Sequence, residues 1–298
     1  MVLPGLTAMS QLSTIQTAAA LGLFGGGISS NVIDYVTIAS AGNAVDFGDL
    51  TVARHQVAAC ADATRGIWAG GNGSSNVIDY VTIASTGDAT DFGDLSSGRY
   101  RPAGCSDDTR GLFGGGDTGS TKEIIDYVTI VSTGNATDFG DLTTGREGLS
   151  ACSNTTKGLF GGGYIVGASN IIDYVTIAST GNATDFGDLT ESRGDLAACS
   201  NATRGLFGGH GSGASNIIDY VTIASTGNAT DFGDLTVNKY QVAACADATR
   251  GLFGGGANSN IIDYVTIAST GNATDFGDLT SSRNGLAACS NGHGGLAA

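Results

Sequence analysis

The sequence predicts an all-β fold assembled from six copies of one four-stranded unit. The string Ile-Ile-Asp-Tyr-Val-Thr-Ile, or a close variant, recurs six times at intervals of 44 to 47 residues. The apolar segments are rich in β-branched and aromatic residues, none carries a sustained helical period, and Gly, Asn, Asp and Ser separate them. A period of this length with four strands per copy is typical of a β-propeller blade, and six blades can close into a ring.

Each copy contains four candidate strands in a fixed order. In order along a copy, the first is Ala-rich, the second is apolar and ends in glycines, the third is β-branched and the fourth is short and aromatic. Examples from two consecutive copies are LAACS at residues 196–200 for the first, GLFGGG at 158–163 for the second, IIDYVTIAS at 171–179 for the third and ATDFGDL at 183–189 for the fourth. The third segment alternates only loosely between apolar and polar residues and is rich in β-branched and aromatic types, which favours a strand half or fully buried in a stack. Turn residues at every join predict four antiparallel strands per blade.

The two chain ends are complementary. The last copy stops after the Ala-rich segment at residues 286–290, whereas the first complete segment is the Gly-ended one at 22–27. We therefore predict that residues 286–291 supply the missing strand of the first blade and close the ring. Residues 1–20 are then expected to be a tail or tether, and 21–298 a single propeller domain.

The repeat resembles the Kelch repeat, in which an apolar strand with a Gly pair is followed by a Tyr, an aromatic residue that is usually Trp, and an Arg. One copy carries the pattern as Leu159, Phe160, Gly161, Gly162, Tyr174, Phe186 and Arg193. Phe replaces the Trp in all six copies. The Arg position is filled by Arg54, Arg99, Arg146, Arg193, Lys239 and Arg283. The resemblance implies a propeller that acts as a protein-interaction scaffold.

A second resemblance concerns the near-identical string IDYVTIASTGNATDFGDL. It is similar to proteins predicted from marine tailed viruses, which implies a structural and adhesion module of a particle surface or tail fibre, located in the virion. The implied partners are other virion proteins or a host-surface receptor, with a glycan as one possible ligand. The Kelch-type scaffold is the alternative function.

Charge and hydropathy exclude two classes of partner. The chain has 28 acidic and 13 basic residues, for a formal charge of −15. A nucleic-acid backbone would be repelled by this excess. No apolar run approaches the roughly 18 residues that span a bilayer, and no basic n-region precedes one, so neither membrane insertion nor export is expected.

The cysteines and aspartates recur with the repeat, which favours structural roles. One Cys per copy in equivalent strands predicts buried thiols rather than disulfides, and without CxxC pairs no metal site is expected. The Asp residues are expected to cap turns or to pair with the repeat Arg or Lys. Ca²⁺ binding by the Asn-Ala-Thr-Asp-Phe-Gly-Asp loops is the alternative. The cysteines are Cys60, Cys105, Cys152, Cys199, Cys245 and Cys289.

The sequence offers little to a catalytic mechanism. Its three histidines, at positions 55, 210 and 293, do not follow the repeat, and no GxSxG or HExxH string occurs. The Gly clusters lack the order of a phosphate-binding loop. We expect a non-enzymatic protein without cofactor, and a carbohydrate-active enzyme is the least favoured alternative.

One face of the ring is predicted to vary. In antiparallel blades the second-to-third and fourth-to-first connections emerge together, and in this chain they differ between copies in length and chemistry. The other two connections barely change. Diverse loops on a rigid scaffold are typical of a recognition surface, with neutral drift in tolerant loops as the alternative. The candidate binding residues are His55, Tyr100, Arg101, Tyr164, His210 and Tyr240.

Overall fold

The computed structural model describes residues 19–210 and 215–295. Within this part the chain forms six sheets of four antiparallel strands, arranged as a ring. The predicted six-bladed β-propeller is confirmed. The predicted tail lies almost wholly outside the described residues, which begin at position 19. None of the helical structure in the described part is long and apolar enough to span a membrane.

The strands are numbered β1 to β24 in chain order, and each blade runs from the axis outwards. The innermost strands are β4 (Ala58–Ala61), β8 (Ala103–Ser106), β12 (Ser150–Ser153), β16 (Ala197–Ser200), β20 (Ala243–Ala246) and β24 (Ala287–Ser290). The second strands are β1 (Leu21–Gly25), β5 (Arg65–Ala69), β9 (Arg110–Gly114), β13 (Lys157–Gly161), β17 (Arg204–His210) and β21 (Arg250–Gly254). The third strands are β2 (Val32–Thr37), β6 (Val77–Thr82), β10 (Ile124–Thr129), β14 (Ile171–Thr176), β18 (Ser215–Thr222) and β22 (Ile261–Thr266). The outer strands are β3 (Val45–Asp49), β7 (Thr90–Asp94), β11 (Thr137–Asp141), β15 (Thr184–Asp188), β19 (Thr230–Lys239) and β23 (Thr274–Asp278).

The C-terminal strand closes the ring, as predicted. β24 pairs antiparallel with β1, with Cys289 opposite Leu23, so the first blade has the order β24-β1-β2-β3. Contacts outside the repeat pattern fasten this seam. The Leu21 N–H donates to Asn291 Oδ1 at 2.8 Å, and the Trp68 indole N–H of the next blade donates to the Ala287 carbonyl at 3.3 Å. Trp68 stands where the other copies carry Phe.

Blades pack face to face, so apolar side chains on both faces of a third strand are buried. In β14, Ile172 packs in one hydrophobic cluster and Val175 in another. Each hydrophobic cluster joins two neighbouring blades, as where Leu206 of one packs in the same cluster as Phe253 of the next. This explains the loose alternation of the third segment, because apolar residues are needed on both faces. The Kelch-like Tyr and Phe also meet: the rings of Tyr220 and Phe232 lie edge to face, with centroids 6.0 Å apart.

Each cysteine side chain packs against a glycine of the neighbouring blade. A Cβ added at Gly158, near the start of its second strand, would lie 2.8 Å from the Sγ of Cys105 in the preceding blade, and the other five Cys–Gly pairs repeat this geometry. All six thiols are free and buried, as the sequence predicts. Burial raises the pKa of Cys152 and of Cys289 to about 12, so both stay protonated at neutral pH.

The near-invariant first-to-second and third-to-fourth loops lie on one face of the ring, which we call the constant face. They join each blade to its neighbour. There the Asp188 N–H donates to Asn228 Oδ1 at 3.1 Å, and the Ala229 N–H donates to the Asp188 carbonyl at 2.7 Å. The third-to-fourth loop therefore covers the free edge of the preceding outer strand. Capping within the turn itself, the expected role, occurs in the first-to-second loops, where Asp62 Oδ1 accepts from the Thr64 N–H.

The C-terminus turns into the axis at the constant face. A single 3₁₀ turn, His293–Gly295, follows β24. The His293 ring bridges two blades, with Nδ1 2.7 Å from the Ser290 carbonyl and Nε2 3.1 Å from Ser106 Oγ. Burial lowers the pKa of His293, which favours the neutral imidazole. The axial cavity at the cysteine level is thus bordered by His293 on this side.

Candidate functional site

The variable face stands on a constant base of buried ion pairs. The repeat Arg or Lys of each fourth-to-first loop binds the Asp of the third strand, as in Arg99–Asp126 at 2.6 Å and Lys239–Asp263 at 3.2 Å. Arg99 also donates to the carbonyls of Gly115 and Ile124 at 3.0 and 2.7 Å. Each cation therefore fixes the fourth-to-first loop relative to the second-to-third loop of the blade that follows it. The remaining pairs are Arg54–Asp79, Arg146–Asp173, Arg193–Asp219 and Arg283–Asp34.

A closed ring of backbone hydrogen bonds surrounds the axis on this face. It passes through the residue two positions after each repeat Arg or Lys, and we call these six residues the mouth ring. The N–H of each donates to the carbonyl of its neighbour, as from Asp195 to Gly148 at 2.8 Å and from Gln241 to Asp195 at 3.0 Å. The mouth ring consists of Gln56, Arg101, Gly148, Asp195, Gln241 and Gly285.

All six mouth-ring residues have positive φ, between 53° and 69°. Glycine adopts this conformation freely, and two copies use it. The other four carry Gln, Arg, Asp and Gln, for which the conformation costs on the order of 1–2 kcal/mol each. Long polar side chains therefore project at the channel mouth at positions where the backbone favours glycine, a pattern found at functional sites.

The second-to-third loops are tied to the same frame. The Asn72 N–H donates to the His55 carbonyl at 3.0 Å, and the Ala257 N–H donates to the Tyr240 carbonyl at 3.0 Å. Tyr100 pairs in both directions with Asp117, and Tyr164 with Glu147. Backbone hydrogen bonds thus tie these second-to-third loops to the fourth-to-first loops, and the loops differ in length and side chains.

Arg101 is the centre of a side-chain cluster beside the mouth. Its Nε donates to Gln56 Oε1 at 2.9 Å, while Nη1 lies 3.9 Å from Glu147 Oε1 and Nη2 lies 3.4 Å from Asp195 Oδ2. The guanidinium carbon is 5.2 Å from the Tyr100 ring centroid and 6.0 Å from that of Tyr164. The His55 ring meets Tyr100 edge to face at 6.1 Å.

The Tyr164 ring packs against two glycines of neighbouring loops. A Cβ at Gly194 would be 2.3 Å from Tyr164 Cε2, and one at Gly148 would be 3.2 Å from Cδ2. The equivalent positions in other copies carry larger residues such as Tyr100 and Arg101. Gly194 also connects the cluster to His210, whose Nδ1 is 3.2 Å from the Gly194 nitrogen. Variable residues of different blades are therefore fitted to one another.

The electrostatics of the cluster are those of one cation among carboxylates. Burial raises the pKa of Glu147, which Arg101 lowers and Asp117 and Asp195 raise further. Burial also raises the pKa of Asp195, against the opposing effect of Arg101. Burial, and next the charge of Arg101, lower the pKa of His55. At neutral pH the His55 ring is therefore uncharged.

The structure places the six predicted binding residues on one face and brings five of them together. His55, Tyr100, Arg101, Tyr164 and His210 form an arc across blades two to five, which we call the arc. Tyr240 lies on the same face but joins none of these side-chain contacts. All six are half-buried rather than exposed, because the loops pack on one another.

Sequence reasoning missed the polar residues beside the arc. Gln56, Glu147, Asp195 and Gln241 lie in the variable loops but were not expected to act. A signal was available, because the mouth-ring residues among them follow the repeat Arg or Lys by two positions in every copy. The mouth ring lines a cavity of about 60 Å³ on the axis.

No group of three or more His, Cys, Asp or Glu side chains able to hold a metal ion occurs in the part of the chain that the structure describes. In the loops considered for Ca²⁺, Asn135 Oδ1 accepts from the Asp94 N–H at 3.1 Å. That oxygen is therefore engaged in joining two blades.

Fold and site together define a six-bladed β-propeller with one constant and one variable face. Comparison with models of known protein families gave no match, and no curated protein matched the chain.

Proposed function

We propose that this chain is a non-enzymatic recognition module that binds its partner through the variable face. The observation that carries the proposal is the fitted arc on a fixed backbone frame. Rigid frames with varied side chains suit recognition, because the scaffold bears the ordering cost and the side chains supply specificity. The packing of Tyr164 against Gly148 and Gly194 supports recognition over neutral drift, because residues of different loops fit one another.

The propeller class itself is compatible with a protein-interaction scaffold. The finer part of the proposal is a virion-associated module, on a particle surface or tail fibre, that contacts a host-surface receptor or other virion proteins. Its support is the resemblance of the repeated string to proteins predicted from tailed viruses. The net charge of −15 is consistent with a partner other than nucleic acid.

The absence of catalysis is part of the proposal. The chain has three histidines, and His293 is held between Ser290 and Ser106 at the far end of the axis. The cysteine thiols are buried and protonated, which makes them poor nucleophiles.

The test is binding of the purified chain to an array of glycans and cell-surface proteins, with and without a chelator. We expect specific binding that survives the chelator. The variant Tyr100→Ser/Tyr164→Ser/Tyr240→Ser should lose it, since aromatic side chains dominate such interfaces.

The matched control is Val131→Ala on the constant face. Val131 is 62 % exposed, and the other described copies carry Ala there. Its binding should equal that of the wild type. Binding that survives the triple Tyr change would place recognition elsewhere, and the absence of any binding to cells or array would overturn the proposal.

A further inference from the structure

We infer that the Arg101 cluster at the channel mouth binds a neutral saccharide, through paired hydroxyl groups that bridge the guanidinium and its carboxylates. This inference rests on the proposed function and names its ligand class. The cluster comprises Arg101, Gln56, Glu147 and Asp195, with Tyr100 and Tyr164 beside them.

The guanidinium of Arg101 has unfilled hydrogen-bonding capacity. A guanidinium has five N–H donors. Among the described residues that of Arg101 makes one hydrogen bond, from Nε to Gln56. Its two terminal nitrogens face carboxylates at 3.9 and 3.4 Å, distances of ion pairing rather than of close hydrogen bonding. Arg101 and both carboxylates are partly exposed.

Hydrogen-bond donors and acceptors alternate in the cluster. A sugar hydroxyl both accepts and donates, so it can accept from an Arg101 N–H and donate to Glu147 or Asp195. Adjacent hydroxyls could serve both nitrogens at once. A simple anion could accept from Arg101 but would have nothing to donate to the neighbouring oxygens.

The cluster holds more carboxylates than cations. The guanidinium of Arg101 faces the carboxylates of Glu147 and Asp195. Burial raises the pKa of both acids, and the charges of Asp117 and Asp195 raise that of Glu147 further. An acidic ligand would add to this repulsion. Neutral sugars are therefore favoured over acidic ones.

Two aromatic rings contribute to the shape of the site. The ring centroids of Tyr100 and Tyr164 lie 5.2 and 6.0 Å from the guanidinium carbon. Rigid amphipathic rings of this kind give large contact area at low entropic cost. The mouth cavity, about 60 Å³, is too small for a sugar ring. The saccharide is therefore expected to lie across the mouth rather than to enter it.

The experiment is saturation-transfer NMR on the full chain with lactose, maltose and N,N′-diacetylchitobiose. N-acetylneuraminic acid and tetralysine serve as the acidic and basic comparison ligands. We expect at least one neutral disaccharide to bind more tightly than either of these. Arg101→Gln should weaken that binding about tenfold or more, because hydrogen bonds to a charged group are lost.

The variant is matched to the fold, since Gln56 and Gln241 occupy mouth-ring positions with the same positive φ. Asp195→Asn gives a second, independent loss, and Val131→Ala should bind as the wild type does. Failure of every neutral disaccharide, or preference for the acidic sugar or tetralysine, would overturn the inference. Attachment to cells that depends on the tyrosines but is not competed by sugars would leave the proposed function standing without this ligand, whereas loss of both would remove both.

Discussion

The constant face and the variable face are built from the same kind of connection between antiparallel strands, yet their side chains are used differently. On the constant face Asn228 reaches the backbone of the preceding blade, so its side chain is part of the joint. On the variable face the mouth ring joins the blades through backbone atoms, as between Asp195 and Gly148. Because the mouth-ring bonds are made between backbone atoms, the mouth-ring side chains are not needed to form them.

The difference explains why one face tolerates change. Replacing the Asn of a constant loop removes a bond between blades, whereas replacing a mouth-ring side chain leaves the backbone bond intact. The base of the variable face keeps its positive charge in all six copies, as the repeat Arg or Lys. Its charge is buried and neutralises a buried Asp.

The largest effect is expected from removing residues 286–298. Loss of β24 leaves one edge of β1 unpaired and removes the Ala287 carbonyl that Trp68 contacts. We expect no cooperative unfolding transition, measured by circular dichroism and by fluorescence of the single Trp. Asn291→Ala, which removes one seam hydrogen bond, should retain the transition. A cooperative melt of the truncated chain would show that closure is dispensable and that the two faces hold the blades unaided.

The next effect concerns the base of the variable face. Arg193→Leu leaves Asp219 buried without its partner, which should destabilise the fold by about 3–5 kcal/mol in denaturant titration. Arg193→Lys is the matched control, because Lys239 fills the equivalent position and pairs with Asp263. It should cost less. Equal losses for both variants would mean that the charge is not what matters.

A smaller effect is expected at the Cys–Gly contacts near the constant face. Gly158→Ala places a Cβ 2.8 Å from Cys105 Sγ, and overpacking of this kind costs about 1–3 kcal/mol. Adding Cys105→Ala to this variant should restore part of the loss, since it removes the sulfur that the new methyl meets. Thermal melts of the two single variants and the double variant form a double-mutant cycle. Strict additivity of the losses would contradict a direct contact between the Cys105 sulfur and the new methyl group.

The constant loops should show an effect of about 1 kcal/mol. Asn182→Ala removes the oxygen that accepts from the Asp141 N–H, and net hydrogen-bond contributions are of this size. Asn182→Asp should be nearly neutral, because Asp88 plays this part in the second blade. Chemical denaturation distinguishes the two, and an unaffected Ala variant would remove the stated reason for the constancy of these loops.

The smallest effect on stability is expected from the variable face itself. The triple Tyr100→Ser/Tyr164→Ser/Tyr240→Ser variant should lose binding while each change alters stability by about 0.5 kcal/mol or less. These side chains are half-buried at loops whose backbone bonds remain. Melting followed beside the binding assay checks both parts. A large drop in melting temperature would show that the arc supports the fold and would erase the contrast between the faces.

The sequence by itself determined the six blades, their four strands, the closing strand and the division into two faces. Each of these follows from repetition and short-range pattern: a period of 44 to 47 residues, turn residues at every join, and complementary ends. Repeats make such inference reliable, because one correct strand assignment holds in all six copies. The buried thiols followed in the same way from one Cys per copy.

Only the tertiary structure decided which side chains meet. Trp68 and Ala287 are far apart in the chain, and so are Arg101 and Asp195 or Tyr164 and Gly194; they meet because ring closure and blade stacking bring different copies together. The positive φ of the mouth ring likewise arises where each chain segment turns from an outer strand back to the axis. A repeat pattern specifies what is the same in every copy, whereas a binding site is made from what differs between copies, and such contacts become visible only in three dimensions.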